Sequence, residues 1–588
     1  MLAAPPHRAT PPCPRRAAMF IRAMAATFQP PSERPTNAPP VPSGLPEAAS
    51  YDGLRDAFRW RVPQRFNIAA ACCDAWAEIA PGRPCLVHFD PEAVETFRIL
   101  TYGELRERSA ALAADMARRG VGRGDRVALL LPQGHDAAVA HMAIYRLGAV
   151  AVPLALLFGA EALAYRLAIS GARAVVASGD ALERIDEARG EALRHVYCPD
   201  GGKGGAIDLP AVLAERGEVT PPVETSADDP ALMIFTSGTT GPPKGALHAH
   251  RVLIGHVPGV QTHHMPVPVP GDVFWTPADW AWAGGLLNVL LPGLLMGVPV
   301  VSGRAGRFDP ELAFETMART RASRAFMPPT ALRLCRAVER PRERFDLRLR
   351  TVGSGGEQLG AAAHDWAREA LGVTVNEFYG QTECNLVLSG CEALGVADER
   401  AIGRPVPGHE VAVIGDDGHA MPTGEVGQIA VRAPDPVMFL EYWQRPDATK
   451  AKFRGPWMLT GDRGLVDGRG LFRFEGRDDD VITSAGFRIG PGEIEDCLTG
   501  HPDVALAAAV GKPDPVRTEI VKAYVVLREG VVGSDDLAAA LRAYVKRRLS
   551  AHEYPREIDF LDALPLTTTG KVIRRELRER ARAEAERA

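Results

Sequence analysis

Apolar residues along most of the chain follow helical and strand-like spacings in alternation. Helical spacing is found at residues 105–119, 137–147 and 161–169. Short apolar runs typical of buried strands lie at residues 126–131, 149–154, 174–177, 298–301, 324–327 and 350–354. Strands separated by helices predict mainly parallel sheets with helices on both faces, because a parallel connection must cross over the sheet. The large N-terminal part is therefore predicted to be α/β.

The pattern changes near Gly476. A polar cluster, GRDDDVI, precedes the glycine-rich segment SAGFRIGPGEIE. Beyond it, helices are predicted at 493–498 and 534–549, strands at 505–510 and 520–527, and a basic helix at the end. We expect a large unit at 51–477, a hinge at 478–480, a small α/β unit at 481–577 and a charged helical tail at 578–588.

Residues 281–301 carry no charge and are numerous enough to cross a bilayer. The segment contains Asn288, Pro292 and Pro299, which are unusual in a simple membrane helix. We interpret it as a buried helix, a break at Pro292, and a buried strand that Pro299 places at an edge or bulge. No stable membrane span is expected.

The first 50 residues are rich in proline and alanine and lack periodicity, so we expect them to be disordered. Their arginines and the absence of acidic residues before Glu33 resemble a transit peptide. The alternative is translation from Met19 or Met24.

A chain of 588 residues is too long to fold around a single hydrophobic core, so at least two domains are expected. A net charge of −5 argues against a nucleic-acid partner held by bulk electrostatics. The nine cysteines are scattered without a C-x-x-C pair, which argues against a disulfide framework or a zinc site. A reducing, cytoplasmic setting is the expectation.

The strongest chemical signal is the segment MIFTSGTTGPPKGALHAH at residues 233–250. Its glycines can turn the backbone so that N–H groups face one point, and its hydroxyls and lysine can bind phosphate oxygens. It is not the G-x-x-x-x-G-K-[ST] loop, because a glycine follows the lysine. A polyphosphate site is predicted at Thr236, Ser237, Gly238, Thr239, Thr240, Gly241 and Lys244.

Further motifs follow in order: VGSGGEQL, NEFYGQTE, LTGD, FEGRDDD and TTTGKVIRRE. Each alone is typical of a turn, a helix cap or a solvated tail. Together, from about residue 60 to 577, they resemble the adenylate-forming superfamily of acyl-CoA synthetases, firefly-type luciferases and peptide-synthetase adenylation domains. The resemblance implies an α/β fold with a large AMP-binding domain and a small mobile C-terminal domain.

The resemblance also implies a role for each motif. The turn Gly356, Glu357 and Gln358 would lie against adenine, and Tyr379 would stack on it. ATP or AMP contacts extend over Glu377, Phe378, Gly380, Gln381 and Thr382. Asp462 and Arg477 would hold the ribose, and Arg488 would contact phosphate in one arrangement.

Catalysis is expected to depend on Lys571, Thr236 and Glu383. A carboxylate must attack the α-phosphorus of ATP, so positive charge must offset the repulsion between two anions. Glu383 would hold Mg²⁺, and Lys571 would bridge the two anions. For the second step the resemblance implies that the small domain swings about Asp479 and presents the strand near Gly486 to coenzyme A.

The acid is predicted from pocket size. The segment FWTPADWAWAGG resembles the acyl-pocket helix of acetyl-CoA and medium-chain synthetases, with Trp282 at its centre. Small residues stand where acetate enzymes carry larger ones, at Ala283, Gly284, Gly355 and Gly380. The last of these replaces a tryptophan that closes the pocket. A medium-chain, branched or aromatic acid is therefore expected.

Three alternatives remain at the level of sequence. The enzyme could act on acetate or propionate if bulky residues refill the pocket, or load a separate acyl carrier protein instead of coenzyme A. A nucleotide-sensing protein without catalysis is the third alternative, although the charged residues of the motifs are all present. The context of Lys571 also resembles the acetylation site of many relatives, which implies a lysine acetyltransferase and deacetylase as partners.

Overall fold

The computed structural model describes residues 27–587, without residues 94, 216, 218, 237–241, 304–305, 307, 478–479, 481, 485–486, 516, 550–553 and 567–570. It has the predicted α/β architecture, with a large N-terminal part of mainly parallel sheets and a small C-terminal part.

Two mainly parallel sheets form the centre of the large part. The described strands of the first run in the order Arg404–Pro405, Leu388–Ser389, Val375–Tyr379, Thr351–Gly355, Arg324–Phe326, Phe274–Trp275, Val300–Gly303, Pro84–Phe89 and Phe97–Thr101. Those of the second run in the order Glu441–Tyr442, Gly245–Ala249, Pro230–Phe235, Val150–Pro153, Arg126–Leu130, Ala174–Ala177, His195–Cys198 and Ile207–Asp208. Antiparallel pairs occur only towards the ends of these described sheets.

Helices cover these sheets, and strands of both sheets share one buried cluster with several of them. The α-helices of the large part are Tyr51–Ala57, Ala75–Ile79, Tyr102–Arg118, His135–Arg146, Ala160–Ser170, Leu182–Ala188, Leu209–Ala214, Val252–His263, Ala283–Gly285, Leu291–Met296, Pro310–Thr320, Pro329–Cys335, Pro341–Arg344, Ala361–Trp366 and Pro446–Ala451. Single π-helical turns adjoin some of these helices, at Ala70–Asp74, Leu286–Leu290 and Ala367–Leu371. Short 3₁₀ turns lie at Gly179–Ala181, Lys203–Gly205 and Glu392–Leu394.

An antiparallel sheet completes the large part. Its described strands are Val411–Ile414, Gly427–Arg432, Phe453–Arg454, Trp457–Val466 and Phe472–Arg477. The register of the last two strands places Asp462 opposite Arg477, so the two residues predicted to hold a ribose are cross-strand partners.

The small part has its own sheet, with the described strands Ile482–Ser484, Phe487–Ile489, Val504–Asp514, Thr518–Leu527 and Glu557–Phe560. Its helices are Pro491–Thr499, Asp535–Arg548 and Arg574–Arg587. Ala507 and Ala509 pack with the first two helices, whereas Ala508 and Val510 pack with the last. Successive strand residues face opposite sides, so helices cover both faces of this sheet. The predicted boundary at residues 577/578 falls inside the last helix, which packs through Leu577 and Ala581.

The apolar segment 281–301 differs from its prediction in two respects. Pro292 does not interrupt the helix: the backbone is helical from Ala283 to Met296, and the π-helical turn Leu286–Leu290 comes directly before the turn that contains Pro292. Such a local π adjustment accommodates the N–H that proline lacks. Pro299 does not place the strand at an edge, because the strand begins after it, at Val300, and lies between two parallel neighbours. Among the described residues, no helix combines the length and apolar character required to cross a membrane.

The expectation of disorder is wrong for residues 27–50. Phe28 is buried, and its N–H donates to the carbonyl of Arg319 over 2.9 Å. Arg34 lies over the ring of Trp76 and donates to the carbonyl of Met296. The segment is ordered by its contacts with the large part rather than by a regular repeat. Residues 1–26 lie outside the described part.

Candidate active site

One cleft of about 670 Å³ lies between the large and small parts, and both contribute to its walls. The predicted nucleotide-site residues that line it are Thr236, Lys244, Gly356, Glu357, Gln358, Glu377, Phe378, Tyr379, Gly380, Gln381, Thr382, Glu383, Asp462, Arg477 and Lys571. Parallel strands explain much of this convergence, because the strands Thr351–Gly355 and Val375–Tyr379 are neighbours and end at the same edge.

Other predicted residues are not tested by this geometry. The predictions at Ser237, Gly238, Thr239, Thr240, Gly241, Asp479 and Gly486 lie outside the described residues. Arg488 lies in the strand Phe487–Ile489, opposite Thr483.

The phosphate loop connects two antiparallel strands, Pro230–Phe235 and Gly245–Ala249. Thr236 and Lys244 close its base: the Thr236 N–H donates to the Lys244 carbonyl over 2.9 Å, and the Lys244 N–H donates to Thr236 Oγ1 over 3.4 Å. Both residues line the cleft. A positive charge and a hydroxyl are thus fixed at one wall, where they can bind phosphate oxygens.

Asp462 lies at another wall of the cleft and is almost fully buried. Tyr379 donates its hydroxyl to Asp462 Oδ2 over 2.5 Å, and Gln381 Nε2 donates to the same oxygen over 3.2 Å. Arg477 Nη1 lies 3.6 Å from the other carboxylate oxygen. Burial raises the pKa of Asp462, and the nearby Arg477 opposes that rise. The carboxylate is held in one orientation, from which it can accept hydrogen bonds from sugar hydroxyls.

Glu383 is the carboxylate predicted to hold Mg²⁺, and it is 6% exposed. Tyr442 donates its hydroxyl to Glu383 Oε1. Within the described part of the chain, no three His, Cys, Asp or Glu side chains cluster as a metal site. This donor set fits Mg²⁺, which proteins usually bind through one or two carboxylates together with substrate phosphates and water.

Lys571 enters the cleft from the small part. Its Cε and Nζ lie 3.9 and 4.0 Å from the position that a Cβ on Gly356 would occupy. The side chain is exposed to the cleft, and protein atoms surround the cleft on several sides. The surrounding protein displaces water from the Lys571 ammonium, and this desolvation lowers its pKa. The carboxylates of Glu357 and Asp462 act in the opposite direction.

Ion pairs anchor the segment that follows Lys571. Arg574 Nη2 donates to Glu495 Oε2 over 2.6 Å, and Arg574 Nη1 lies 3.6 Å from Asp480 Oδ2. Arg578 Nη1 lies 3.1 Å from the other oxygen of Asp480. Asp480, the last residue of the predicted hinge 478–480, is thus tied to the helix that follows the lysine.

The predicted acyl-pocket glycines do not face empty space. A Cβ on Gly284 would lie 2.8 Å from the Phe326 ring, and one on Gly355 would lie 2.7 Å from the Phe378 ring. A Cβ on Gly380 would lie within 3 Å of backbone atoms of residues 384–386. Two aromatic rings and a backbone turn therefore occupy the room that small residues were expected to leave. Trp282, Ala283, Gly284 and Gly355 are not among the residues lining the 670 Å³ cleft.

Several residues of the site were not found from the sequence. Lys452 donates to Gln381 Oε1 over 2.9 Å and so supports the amide that contacts Asp462. Arg333 Nη1 lies 3.3 Å from Glu357 Oε2, and its Nη2 lies 4.0 Å from Asp496 in the small part. Tyr442 was also missed. Arg574 lies three residues after Lys571 in the motif TTTGKVIRRE, so the sequence offered a signal for it. No local sequence pattern marks Lys452, Arg333 or Tyr442.

The structure is an α/β fold of two unequal parts. The cleft between them is lined by charged residues and by side chains that can bind phosphate oxygens. The chain belongs to the AMP-binding enzyme family: residues 73–443 match the AMP-binding enzyme domain, and residues 493–571 match the AMP-binding enzyme C-terminal domain. The predicted resemblance to the adenylate-forming superfamily is confirmed.

Two curated relatives illustrate the similarity. Acetyl-coenzyme A synthetase of Bacillus subtilis is 33% identical over 87% of this chain and 90% of its own length. The mitochondrial acyl-coenzyme A synthetase ACSM2B of Homo sapiens is 31% identical over 88% of this chain and 91% of its own.

Proteins of known structure also resemble this chain in fold. The anthranilate CoA ligase AuaEII in complex with anthranoyl-AMP has a TM-score of 0.82 at 25% identity, covering 89% of this chain and 99% of that one. MatB from Rhodopseudomonas palustris has a TM-score of 0.76 in its ATP-bound structure (28% identity, 87% and 98% coverage) and 0.68 in its apo structure (27% identity, 88% and 99% coverage).

Proposed function

We propose that the chain is an ATP-dependent, AMP-forming acyl-CoA synthetase. In the first half-reaction a carboxylate oxygen of the acid bonds to the α-phosphorus of ATP, and the bond to pyrophosphate breaks, giving acyl-AMP. In the second the sulfur of coenzyme A bonds to the acyl carbon, AMP leaves, and the thiol proton is released. A pantetheine thiol has a pKa near that of cysteine, about 8.5, so a reactive thiolate fraction exists at neutral pH and no dedicated base is required.

The observation that carries the proposal is the position of Lys571. It lies in one cleft with the phosphate-loop residues Thr236 and Lys244 and the carboxylates Glu383 and Asp462. An acid and a triphosphate repel each other, and a lysine ammonium beside the reacting oxygens lowers that barrier. We assign this role to Lys571, because its position next to Gly356 allows the ammonium to reach a nucleotide in the cleft.

The other roles follow from the remaining contacts. Thr236 and Lys244 would hold the β- and γ-phosphates, Tyr379 and the turn at Gly356 would flank adenine, and Asp462 would accept from the ribose hydroxyls. Mg²⁺, held by Glu383 and the phosphates, would supply charge neutralisation of the leaving pyrophosphate. Asp479 as the hinge and Gly486 near coenzyme A keep their predicted roles in the second half-reaction, and Arg488 its predicted phosphate contact in one arrangement of the two parts.

The comparisons support this proposal in two ways. The relatives are named acyl-coenzyme A synthetases, and one solved neighbour is a CoA ligase in complex with an acyl-AMP. In addition, the chain resembles the ATP-bound MatB structure more closely than the apo structure of the same protein. The names support the reaction, and the higher TM-score with the ATP-bound structure favours an arrangement of the two parts suited to adenylation.

The test separates the two half-reactions. Lys571→Ala should abolish pyrophosphate release from ATP and acid, by a factor of about 10² or more, because it removes charge from the transition state. Formation of acyl-CoA from supplied acyl-AMP and coenzyme A should continue, since no phosphoryl transfer is then needed. Equal loss of both half-reactions would contradict the assignment of Lys571.

For the acid we propose a medium-chain, branched or aromatic carboxylate. The rings of Phe326 and Phe378 lie beside Gly284 and Gly355, so these glycines do not themselves provide the space for a longer chain. Flat aromatic acids can pack against such rings. Support for an aromatic acid comes from the solved neighbours, which include an anthranilate CoA ligase and a benzoate CoA ligase. Pyrophosphate release with acetate, propionate, butyrate, octanoate, benzoate and anthranilate measures the preference. Highest kcat/KM with acetate or propionate would reject this substrate class without affecting the adenylation mechanism.

The acceptor is tested separately. Supplied acyl-AMP should be converted to a thioester with coenzyme A as acceptor. If only a phosphopantetheinyl carrier protein accepts the acyl group, the chain is a carrier-loading ligase.

A further inference from the structure

We propose that Tyr442 is a positioning residue that orients Glu383 for Mg²⁺ through its hydroxyl and Lys244 for phosphate through its ring. This inference rests on the proposed function, because the roles of Glu383 and Lys244 belong to it. Tyr442 is nearly fully buried and lines the cleft.

The hydroxyl contact fixes one side of the carboxylate. Tyr442 donates to Glu383 Oε1, which leaves Oε2 as the oxygen without this contact. Outer hydrogen bonds of this kind orient a metal-binding carboxylate, and their loss typically weakens metal binding about 10- to 100-fold. Tyr442 thus selects which oxygen faces the phosphates.

The ring contact concerns the phosphate loop. Lys244 Nζ lies 4.8 Å from the centroid of the Tyr442 ring, a distance at which the ring face attracts a cation. The lysine side chain has four rotatable bonds, and this contact restricts them. The ammonium is therefore held at the cleft wall before nucleotide arrives, which lowers the entropy that binding must remove.

The backbone explains why one tyrosine can serve both groups. The strand Glu441–Tyr442 pairs with Gly245–Ala249, directly after Lys244, with Tyr442 opposite Ala246. Three residues before Tyr442, the Phe439 N–H donates to the carbonyl of Glu383 over 2.9 Å. This short segment is thus hydrogen-bonded to the two elements that carry Lys244 and Glu383.

The test measures ATP affinity of the full chain by calorimetry, once with Mg²⁺ and once with EDTA. Tyr442→Phe removes only the hydroxyl, so it should weaken ATP binding about tenfold or more with Mg²⁺ and change it little with EDTA. Tyr442→Leu also removes the ring, so it should weaken binding in EDTA by a further two- to fivefold. The difference between the two conditions is a readout that a general loss of packing would not produce.

A matched control is available elsewhere in the chain. Tyr197 donates its hydroxyl to Asp115 Oδ2 over 2.9 Å, in a strand of the eight-stranded sheet. Tyr197→Phe removes the same kind of buried hydrogen bond and should leave ATP binding unchanged in both conditions.

Two results would overturn the inference: unchanged Mg²⁺-dependent affinity in Tyr442→Phe, or equal affinities of Tyr442→Phe and Tyr442→Leu in EDTA. Glu383→Gln separates this failure from failure of the proposed function. If Glu383→Gln retains the wild-type effect of Mg²⁺, the metal assignment itself is wrong. If Glu383→Gln loses that effect while Tyr442→Phe keeps it, only the role of Tyr442 is rejected.

Discussion

At the scale of single residues, the cleft shows how neighbours change the chemistry of a side chain. Lys571 would be an ordinary tail lysine by its sequence position, yet the protein around the cleft partly desolvates the ammonium and lowers its pKa. Asp462 experiences the opposite change, because burial raises the pKa of a carboxyl. Both groups are therefore poised closer to neutral pH than they would be in water.

The lowered pKa of Lys571 has a consequence for pH dependence. The ammonium is the active form, so kcat/KM for adenylation should fall as pH rises through a pKa below the ordinary 10.5. Initial rates of pyrophosphate release between pH 7 and 10.5 measure this alkaline limb. Lys571→Arg, which stays charged above that range, should be slower at neutral pH but lack the limb. An identical limb in Lys571→Arg would assign the titration to another group.

The acyl-pocket glycines show that residue size alone does not predict the free volume of a pocket. The small residues predicted open space, but the direction of each Cβ determines which atoms a larger side chain would contact. Gly380 faces the backbone of residues 384–386, so a tryptophan there would collide with the main chain rather than fill a cavity. Gly284 faces a side-chain ring, that of Phe326, which can be exchanged without moving the backbone.

At the scale of elements, the helix Pro491–Thr499 forms one of the contacts between the two parts. It approaches the turn that follows the strand Thr351–Gly355 so closely that a Cβ on Gly492 would lie 2.0 Å from Gln358 Oε1. A Cβ on Gly360 would lie 2.7 Å from the Asp496 carboxyl group. Small residues on both surfaces permit the approach that brings Lys571 into the cleft.

Gly492→Val should therefore impair the first half-reaction. The added side chain separates the two surfaces, so pyrophosphate release should fall about tenfold, the effect of displacing a catalytic group by a fraction of an ångström to an ångström. Formation of acyl-CoA from supplied acyl-AMP should be less affected. Gln358 lines the nucleotide cleft, so Gln358→Ala alone provides the baseline. The double variant Gly492→Val/Gln358→Ala should be as active as this baseline, because the colliding side chain is gone. Failure of this rescue would show that the steric account is incorrect.

At the scale of the whole molecule, residues 27–50 extend the core of the large part. Phe28 packs in the same buried cluster as Phe314 and Met317, far from it in sequence. Irregular segments can be ordered when their side chains enter a core and their backbone groups find partners.

Phe28→Ala tests this contribution. Deleting a buried ring should lower the free energy of unfolding of the large part by about 3 kcal/mol, visible as a lower urea midpoint. Val532→Ala, at a site that is 84% exposed, should change the midpoint little. If Phe28→Ala also leaves it unchanged, residues 27–50 do not contribute to the fold in solution.

The sequence alone determined the alternation of helices and strands, the division into a large and a small part, and the motifs Thr236, Tyr379, Glu383, Asp462 and Lys571. These are local signals, carried by the spacing of apolar residues and by short runs of special chemistry. Pairing of distant segments is not a local property. Folding brings Tyr442 to Glu383 and Lys244, and it brings Lys452 to Gln381. It also places aromatic rings in the space beside the pocket glycines Gly284 and Gly355. The reason is physical: a side chain's position in the sequence fixes its chemistry, while its neighbours and its burial depend on how remote elements pack.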